Sequence, residues 1–170
     1  VLKVVAVKEM LNTASDPQVR ESTNKNFERE ANIIVSLNHQ SIPNIYDFFI
    51  LDDRSYLVLE FIYGQNLDEI IRKNPTPFTE EQVIIWAIEI CDVLDYLHNH
   101  KPDPVIFRDI KPSNIMINQQ NHVVLVDFGI AKNIVSGQKG TMIGTEGFSP
   151  PEQYRGEASP QTDIYALGAT

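Results

Sequence analysis

The sequence predicts an α+β protein, in which a strand-rich first part, residues 1–62, is followed by a mainly helical second part, residues 63–170. Short β-branched runs dominate the first part, whereas the second part contains a long segment whose apolar residues recur at helical spacing. Hydrophobic residues make up 42% of the 170 residues and charged residues 22%, which is ordinary for a globular domain. The chain is therefore apolar enough to bury a sizeable core.

The strand-rich part contains three predicted strands. The first covers residues 1–7, which are apolar apart from one lysine, and it places Ala6 and Lys8 at its end. The other two cover residues 45–51 and 55–62, and the pattern breaks directly afterwards, where Tyr, Gly, Gln and Asn follow one another. We expect the sheet-rich part to end there.

A helix is predicted over residues 19–37, after a loop. Its inward face contains Phe27, Ala31, Ile34 and Leu37. Glu30 falls on the same face, and an unpaired buried carboxylate would cost several kcal/mol, so this residue needs a cationic partner. Lys8 is the candidate partner. Glu28 is the competing acid, but it falls on the outer face of the helix.

The second part begins with a long predicted helix. Thr79 is followed three residues later by Gln82, which is the pattern of a capping box, and the helix is predicted to continue to about His98. Apolar residues nearly encircle this helix, so we expect it to be the buried central helix of a helical lobe.

A short hairpin is predicted from residues 115–117 and 123–126, with a polar turn between them. Antiparallel pairing brings Asn114, which precedes the first strand, and Asp127, which follows the second, to the same end. Amide and carboxylate oxygens are ligands for hard cations. The sequence therefore predicts a magnesium site at this end of the hairpin.

The overall charge excludes one class of partner. Lys and Arg number 14 against 23 Asp and Glu, which gives a net charge of −9 and argues against a nucleic-acid-binding surface.

Cys91 is the single cysteine, so an internal disulfide is excluded and a reducing compartment, the cytoplasm, is expected. No apolar run approaches about 18 residues, so we expect no membrane span within this segment.

Two motifs in the second part carry the chemistry. Residues 107–114, Phe-Arg-Asp-Ile-Lys-Pro-Ser-Asn, match H-R-D-x-x-x-x-N with Phe107 in place of His, and residues 127–129 are Asp-Phe-Gly. Residues 5–8 match V-A-I-K, and residues 150–152 depart from A-P-E only at the first position. With all four motifs in order, the chain resembles the protein kinases over essentially its whole length.

This resemblance implies a role for each motif residue. Asp109 would accept or orient the proton of the substrate hydroxyl, and Lys111 would neutralise charge on the transferred phosphoryl group. Asn114 and Asp127 would bind magnesium. The alternative is that Asp and Asn merely cap turns here, which is the usual role of either residue alone, but the combined spacing disfavours it.

The resemblance also implies a nucleotide site. Lys8, oriented by Glu30, would contact the α- and β-phosphates of ATP. The carbonyl of Glu60 and the amide of Ile62 would meet the adenine through the main chain. Ala6 and Met116 would also contact the nucleotide and would supply apolar faces to the base.

Four further residues have expected roles by resemblance. Phe107 would pack against Phe128, so an aromatic ring can replace the usual His. Residue Thr145 would hydrogen-bond the catalytic Asp and Lys. Ser136 and Thr141 are either phosphate acceptors, in a dimer that phosphorylates its own activation loop, or ordinary solvated hydroxyls.

The expected fold is therefore a two-lobed, protein-kinase-like α+β fold within one partial kinase domain, residues 1–170. Residues 1–62 would form part of the small lobe with the hinge, and residues 63–170 part of the larger lobe. The Gly-rich phosphate loop is not in this sequence, so we expect a segment truncated at both ends that would bind ATP poorly in isolation.

The expected function is that of a serine/threonine protein kinase of bacterial type, acting in signalling with ATP and Mg²⁺ on a protein substrate. A lysine at position 111 is typical of the serine/threonine class. A pseudokinase scaffold is the alternative, disfavoured because Lys8, Glu30, Asp109, Asn114 and Asp127 are all present. A small-molecule kinase is a third option, disfavoured by the activation segment, residues 127–152, which by resemblance serves protein substrates.

Overall fold

The computed structural model describes residues 2–11, 16–52, 54–128 and 144–170. The described residues form two compact units. The first contains residues from 2–38 and 43–61, and the second contains 39–42, 62–128 and 144–170. Strands dominate the first unit and helices the second, as the α+β prediction requires.

The first unit contains an antiparallel sheet with strand order β1-β3-β2 among the described residues. These strands are β1 (Val5–Leu11), β2 (Ile45–Leu51) and β3 (Arg54–Glu60). In the central strand, Leu57 lies opposite Lys8 of β1 and is 1% exposed. The sheet therefore holds Lys8 in the middle of an edge strand.

The predicted position of the first strand, residues 1–7, is wrong by four residues. β1 continues through Lys8 and Glu9 to Leu11, so Lys8 is not at its end. The reason is pairing: β1 is hydrogen-bonded along the whole of β3, and Glu9 on the exposed face forms an ion pair with Arg54. The prediction followed the apolar run, which indicates only which residues are buried. The ends of this strand are set instead by its pairing with β3.

Helix α1 (Pro17–Val35) packs on this sheet. It begins two residues earlier than predicted because Asp16 accepts a hydrogen bond from the Gln18 amide at 2.8 Å, and because proline suits the first helical turn. The predicted inward face is confirmed, with Phe27 and Ala31 both 0% exposed. The Phe27 ring meets the ring of Phe48 edge-on, with 6.2 Å between the ring centroids.

The second unit contains another antiparallel sheet, with strand order β4-β5-β6 in the part of the chain that is described. Its strands are β4 (Gly64–Asn66), β5 (Ile115–Asn118) and β6 (Val123–Leu125). The hairpin of β5 and β6 confirms the prediction. Strand β4 was not predicted, because Gly, Gln and Asn form a strand here only by pairing with β5. Helix α2 (Leu67–Lys73) follows it directly and was also not predicted.

Gly64 is required where β4 meets β5. A Cβ added to it would lie 2.2 Å from the carbonyl oxygen of Ile117. We therefore expect Gly64→Ala to lower the free energy of unfolding by roughly 1–3 kcal/mol, since the backbones would have to separate. Thermal unfolding measures this, with Gly168→Ala as the matched control because a Cβ there meets nothing within 4 Å. Equal destabilisation by both substitutions would contradict the packing described here.

Helix α3 (Glu80–His98) has the predicted bounds, and the Thr79 side chain accepts a hydrogen bond from the Gln82 amide at 3.3 Å. Its expected burial on all sides is wrong for the described residues. One face is buried, with Val93 and Leu97 both 0% exposed. The opposite face is open, and Ile88 is 63% exposed, because the described neighbours β6 and the C-terminal helix cover only one side.

That C-terminal helix, α4 (Pro160–Gly168), buries Thr162, Asp163 and Ala166. Its first turn is closed by a capping box, in which the Thr162 hydroxyl accepts a hydrogen bond from the Ser159 amide at 3.0 Å. Among the described residues, no helix combines the length and the continuous hydrophobicity needed to cross a bilayer.

Candidate active site

The end of the β5–β6 hairpin brings two predicted metal ligands together. Ile115 lies opposite Leu125, and the Val126 amide donates a hydrogen bond to the Asn114 carbonyl at 2.9 Å. Asn114 and Asp127 therefore leave the hairpin at the same end, as the sequence predicted. Asp127 is exposed and has a φ of 65°, which turns the chain sharply after the strand.

Asn114 is fixed by its own amide group. It ends a short 3-10 turn, Pro112–Asn114, and is 5% exposed. Its Nδ2 donates to the main-chain oxygen of Asp109 at 2.9 Å and to Oδ2 of the same residue at 2.8 Å. Because both bonds use the amide nitrogen, the amide oxygen points away from Asp109. An amide oxygen and a carboxylate at one hairpin end fit a hard cation such as magnesium.

Asp109 is the centre of a side-chain network. It is 7% exposed, and its Oδ1 accepts a hydrogen bond from the Thr145 hydroxyl at 2.8 Å. Its Oδ2 lies 3.1 Å from the ammonium nitrogen of Lys111. The same ammonium group donates to the Thr145 hydroxyl oxygen at 3.1 Å. The contacts of Thr145 with both residues, expected from the sequence, are confirmed.

This network can perform acid–base chemistry. A carboxylate can accept a proton from a hydroxyl, and a neighbouring cation can stabilise negative charge that develops on the reacting group. The side chain of Lys111 is 22% exposed, so its ammonium group is accessible from solvent while it contacts Asp109. Asn114, Lys111 and Thr145 hold the carboxylate of Asp109 from three directions.

Thr145 is held in turn by a short loop that the sequence did not single out. The Thr145 amide donates to the Ser149 hydroxyl at 2.9 Å, and the Ser149 amide donates to the Thr145 carbonyl at 3.0 Å. Gly144 is needed beside this loop, because a Cβ there would lie 2.8 Å from Cβ of Ser149. The only sequence signal for Ser149 was its position between Thr145 and the Pro-Pro-Glu motif.

The main chain before Asp109 is anchored by a buried carboxylate. Asp163 is 0% exposed, and it accepts hydrogen bonds from the amides of Phe107 at 2.9 Å and Arg108 at 2.7 Å. Asp163 therefore holds the main chain of the loop that carries Asp109. Nε2 of His98 lies 2.8 Å from the same carboxylate.

Phe107 serves the packing role predicted for it. The ring is 0% exposed and meets the Phe128 ring edge-on, with 4.9 Å between centroids. An edge-to-face pair of this kind needs an aromatic ring and no titratable nitrogen. The loop that carries Asp109 is therefore fixed to the residue after Asp127 without the usual His.

The first unit positions Lys8 on the helix-covered face of its sheet. Lys8 lies opposite Leu57, and Leu57 also lies opposite Phe48, whose ring contacts α1. Residues directly opposite in an antiparallel sheet point to the same face, so Lys8 shares that face. Glu30 of α1 is half-buried and Glu28 is exposed, which agrees with the predicted helix register. The Lys8–Glu30 ion pair stays a prediction.

The predicted adenine contacts lie in both units. Ala6 is half-buried and two residues before Lys8, so it shares the same face of β1. Glu60 ends β3, and its amide donates to the Asn44 carbonyl at 2.8 Å. Ile62 and Met116 belong to the second unit and are half-buried. Contact of these residues with a nucleotide base stays a prediction.

Three residues with roles predicted from the sequence lie outside the described part of the chain. Ser136 and Thr141 lie outside the described residues, as does Gly129 of the Asp-Phe-Gly motif. Their roles stay predictions from the sequence.

Comparison with known proteins agrees with this geometry. The family model described as "Protein kinase domain" matches residues 2–170. The chain is 38% identical to Serine/threonine-protein kinase B of Synechocystis sp., over 98% of this chain and 31% of that protein. It is 35% identical to Serine/threonine-protein kinase PknB of Mycobacterium leprae, over 84% of this chain and 24% of that protein. The chain thus spans less than a third of these curated relatives.

Among solved structures, the fold resembles that of "PpkA-294 apo form", with a TM-score of 0.78 and 24% sequence identity. The match covers 96% of this chain and 63% of that one. At this identity the likeness supports the fold, and the chemistry rests on the side chains described above.

Proposed function

The chain belongs to the protein kinase family, and on this premise we propose that it transfers the γ-phosphoryl group of magnesium-ATP to serine and threonine hydroxyls of proteins. One observation carries the proposal. The carboxylate of Asp109 is held by Asn114, Lys111 and Thr145 in a single hydrogen-bonded network. Phosphoryl transfer needs little else from a protein than such positioning and charge stabilisation.

Asp109 would orient the attacking hydroxyl and take its proton. The three contacts hold both carboxylate oxygens, so the group does not have to reorganise when the substrate arrives. Lys111 would stabilise the negative charge of the transferred phosphoryl group, since its ammonium nitrogen is only 3.1 Å from Asp109. Thr145, which is hydrogen-bonded to both, would hold these two side chains in position relative to each other.

Magnesium would be held by the amide oxygen of Asn114 and the carboxylate of Asp127. When bound, it would neutralise charge on the ATP phosphates. The fit is supported by the amide group of Asn114: its nitrogen donates to Asp109, and its oxygen, which accepts a long hydrogen bond from the Ser113 hydroxyl at 3.5 Å, keeps a lone pair for the cation. Lys8, oriented by Glu30, is proposed to contact the phosphates, and Ala6, Glu60, Ile62 and Met116 are proposed to contact the adenine.

The choice of serine and threonine rests on Lys111 and on the relatives. A lysine two residues after the catalytic Asp resembles the serine/threonine class, and the Thr145 hydroxyl accepts a hydrogen bond from it at 3.1 Å. The curated relatives compared above carry the name serine/threonine-protein kinase. No observation favours the alternative of a non-catalytic scaffold, because every side chain expected for transfer in the second unit is present.

Magnesium removal tests the proposal in the complete protein. With γ-labelled ATP and a general protein substrate, we expect label on phosphoserine and phosphothreonine, and loss of at least about 100-fold in rate when a chelator removes magnesium. Adding magnesium back should restore the rate, which controls for damage by the chelator. Label found on phosphotyrosine, or a rate unchanged by the chelator, would contradict the proposal.

A further inference from the structure

Gln153 is a buried polar residue for which the proposed mechanism has no use. It is 2% exposed and opens a 3-10 turn, Gln153–Arg155, just after the Pro-Pro-Glu motif. Its Nε2 donates a hydrogen bond to the main-chain oxygen of Arg108 at 2.8 Å. A carbonyl oxygen can only accept, so the amide nitrogen of Gln153 must face it.

The residue that Gln153 contacts has an unusual backbone. Arg108 has a φ of 67°, in the left-handed region that costs a non-glycine residue roughly 1–3 kcal/mol. Such a conformation persists only where the surroundings fix it. On one side of this peptide, Asp163 accepts hydrogen bonds from the amides of Phe107 and Arg108. On the other side, Gln153 donates to the Arg108 carbonyl.

The carbonyl held by Gln153 is part of the peptide bond that joins Arg108 to Asp109. Its orientation sets the direction in which the Asp109 side chain leaves the main chain. We propose that Gln153 is a positioning residue for the reaction: together with Asp163 it clamps Arg108 in its left-handed conformation and so aims the carboxylate of Asp109. This inference rests on the proposed function of Asp109.

The second polar atom of Gln153 argues against a purely stabilising role. Its Oε1 is buried and accepts no hydrogen bond from the residues that the structure describes. An unsatisfied buried acceptor is unfavourable, so the side chain gains one hydrogen bond and loses another. Replacement by an apolar residue of similar size removes this unsatisfied acceptor but also removes the donor to the Arg108 carbonyl, so the two effects offset and we expect little net change in stability. A glutamine at this position is better explained by its hydrogen bond to the Arg108 carbonyl, which orients Asp109.

Gln153→Met is the main test in the complete protein, because methionine keeps the length and removes the donor. We expect kcat for phosphoryl transfer to fall about tenfold, with KM for ATP within about twofold and a melting temperature within about 2 °C of the wild type. Amide hydrogen exchange in residues 107–109 should become faster. Gln161→Met, at an exposed position in α4, is the matched control and should change none of these values.

Gln153→Glu keeps the size of the side chain but replaces the amide N–H donor by a carboxyl group. As a carboxylate it would repel the Arg108 carbonyl, and as a neutral carboxyl group it would donate an O–H to it. Burial raises the pKa of such a carboxyl group, so the kcat of this variant relative to wild type should rise as the pH is lowered. A relative kcat that is independent of pH would overturn the donor role.

Failure of the role inferred for Gln153 can be distinguished from failure of the proposed function. Gln153→Met with wild-type kcat and wild-type exchange overturns the inference. A wild-type protein that transfers no phosphate overturns the proposed function instead, and exchange alone then decides the clamp: faster exchange in residues 107–109 of Gln153→Met supports it, and unchanged exchange overturns it.

Discussion

Asp109→Asn is expected to lower kcat for phosphoryl transfer by roughly 10²–10⁴-fold, because the amide cannot take the proton of the attacking hydroxyl. Asparagine has the same size, so the hydrogen bond from the Thr145 hydroxyl to the side-chain oxygen can remain. The KM for ATP should stay within a few-fold of wild type, since Asp109 is assigned to the hydroxyl and not to the nucleotide. Initial rates over a range of ATP concentrations measure both constants.

The control for this substitution is Asp103→Asn. Asp103 is exposed and lies a few residues before the motif of residues 107–114, so its substitution reports the effect of losing one negative charge nearby. We expect its kcat and KM to match the wild type. If Asp109→Asn changed KM for ATP and left kcat intact, the assignment of Asp109 as proton acceptor would be wrong.

Asp163→Ala is expected to have the largest effect on stability. The carboxylate is 0% exposed and accepts hydrogen bonds from the amides of Phe107 and Arg108, and it also contacts His98 at 2.8 Å. Its removal leaves two main-chain donors unsatisfied at about 1–3 kcal/mol each, so we expect a loss of roughly 3–5 kcal/mol. This corresponds to a fall of about 10 °C in melting temperature for a chain of this size.

Differential scanning calorimetry measures this loss, with Asp103→Ala as the matched control on an exposed carboxylate. The control should melt within about 1 °C of the wild type, as expected for a surface substitution. The loop anchored by Asp163 carries Asp109, so activity at a temperature where the variant remains folded should fall as well. A melting temperature equal to that of the control would show that Asp163 does not anchor the loop.

The sequence predicted the α+β fold class and the common end of the β5–β6 hairpin, but it did not predict the bounds of every strand. Asn114 and Asp127 were placed together because an antiparallel hairpin has a fixed geometry, and the pairing of Ile115 with Leu125 confirms it. Thr145 was found because its motif occurs in order with the others. The hairpin prediction needed only short-range spacing, whereas the contacts of Thr145 were implied by the resemblance to the protein kinases.

Predictions of secondary-structure bounds and helix burial failed where they depend on a distant strand or helix. Residues 64–66 form β4 because β5 lies beside them, and nothing in Gly-Gln-Asn indicates a strand. The first strand begins at Val5 instead of residue 1, because β3 sets its length. Ile88 of α3 looks like a core residue in the sequence, yet it is 63% exposed among the described residues. In each case tertiary contacts outweigh local propensity.

Gln153 shows a second kind of feature that the sequence does not predict. A polar residue after a Pro-Pro-Glu run gives no sign in the sequence that it is buried, and the left-handed φ of Arg108 is equally hidden, because arginine has no preference for that region. Both features depend on the contact between the loop that carries Asp109 and the segment after Gly144. Residues that act through the main chain of another residue leave no spacing pattern.

Single-turnover transfer is the most direct test of the central claim that Asp109 carries phosphoryl transfer. The complete protein and its Asp109→Asn variant would be saturated with magnesium and γ-labelled ATP, mixed with a protein substrate and quenched over time, so that product release does not enter the rate. We predict that both bind ATP equally and that the wild type transfers label to serine and threonine at least about 100-fold faster. Equal single-turnover rates would contradict the claim.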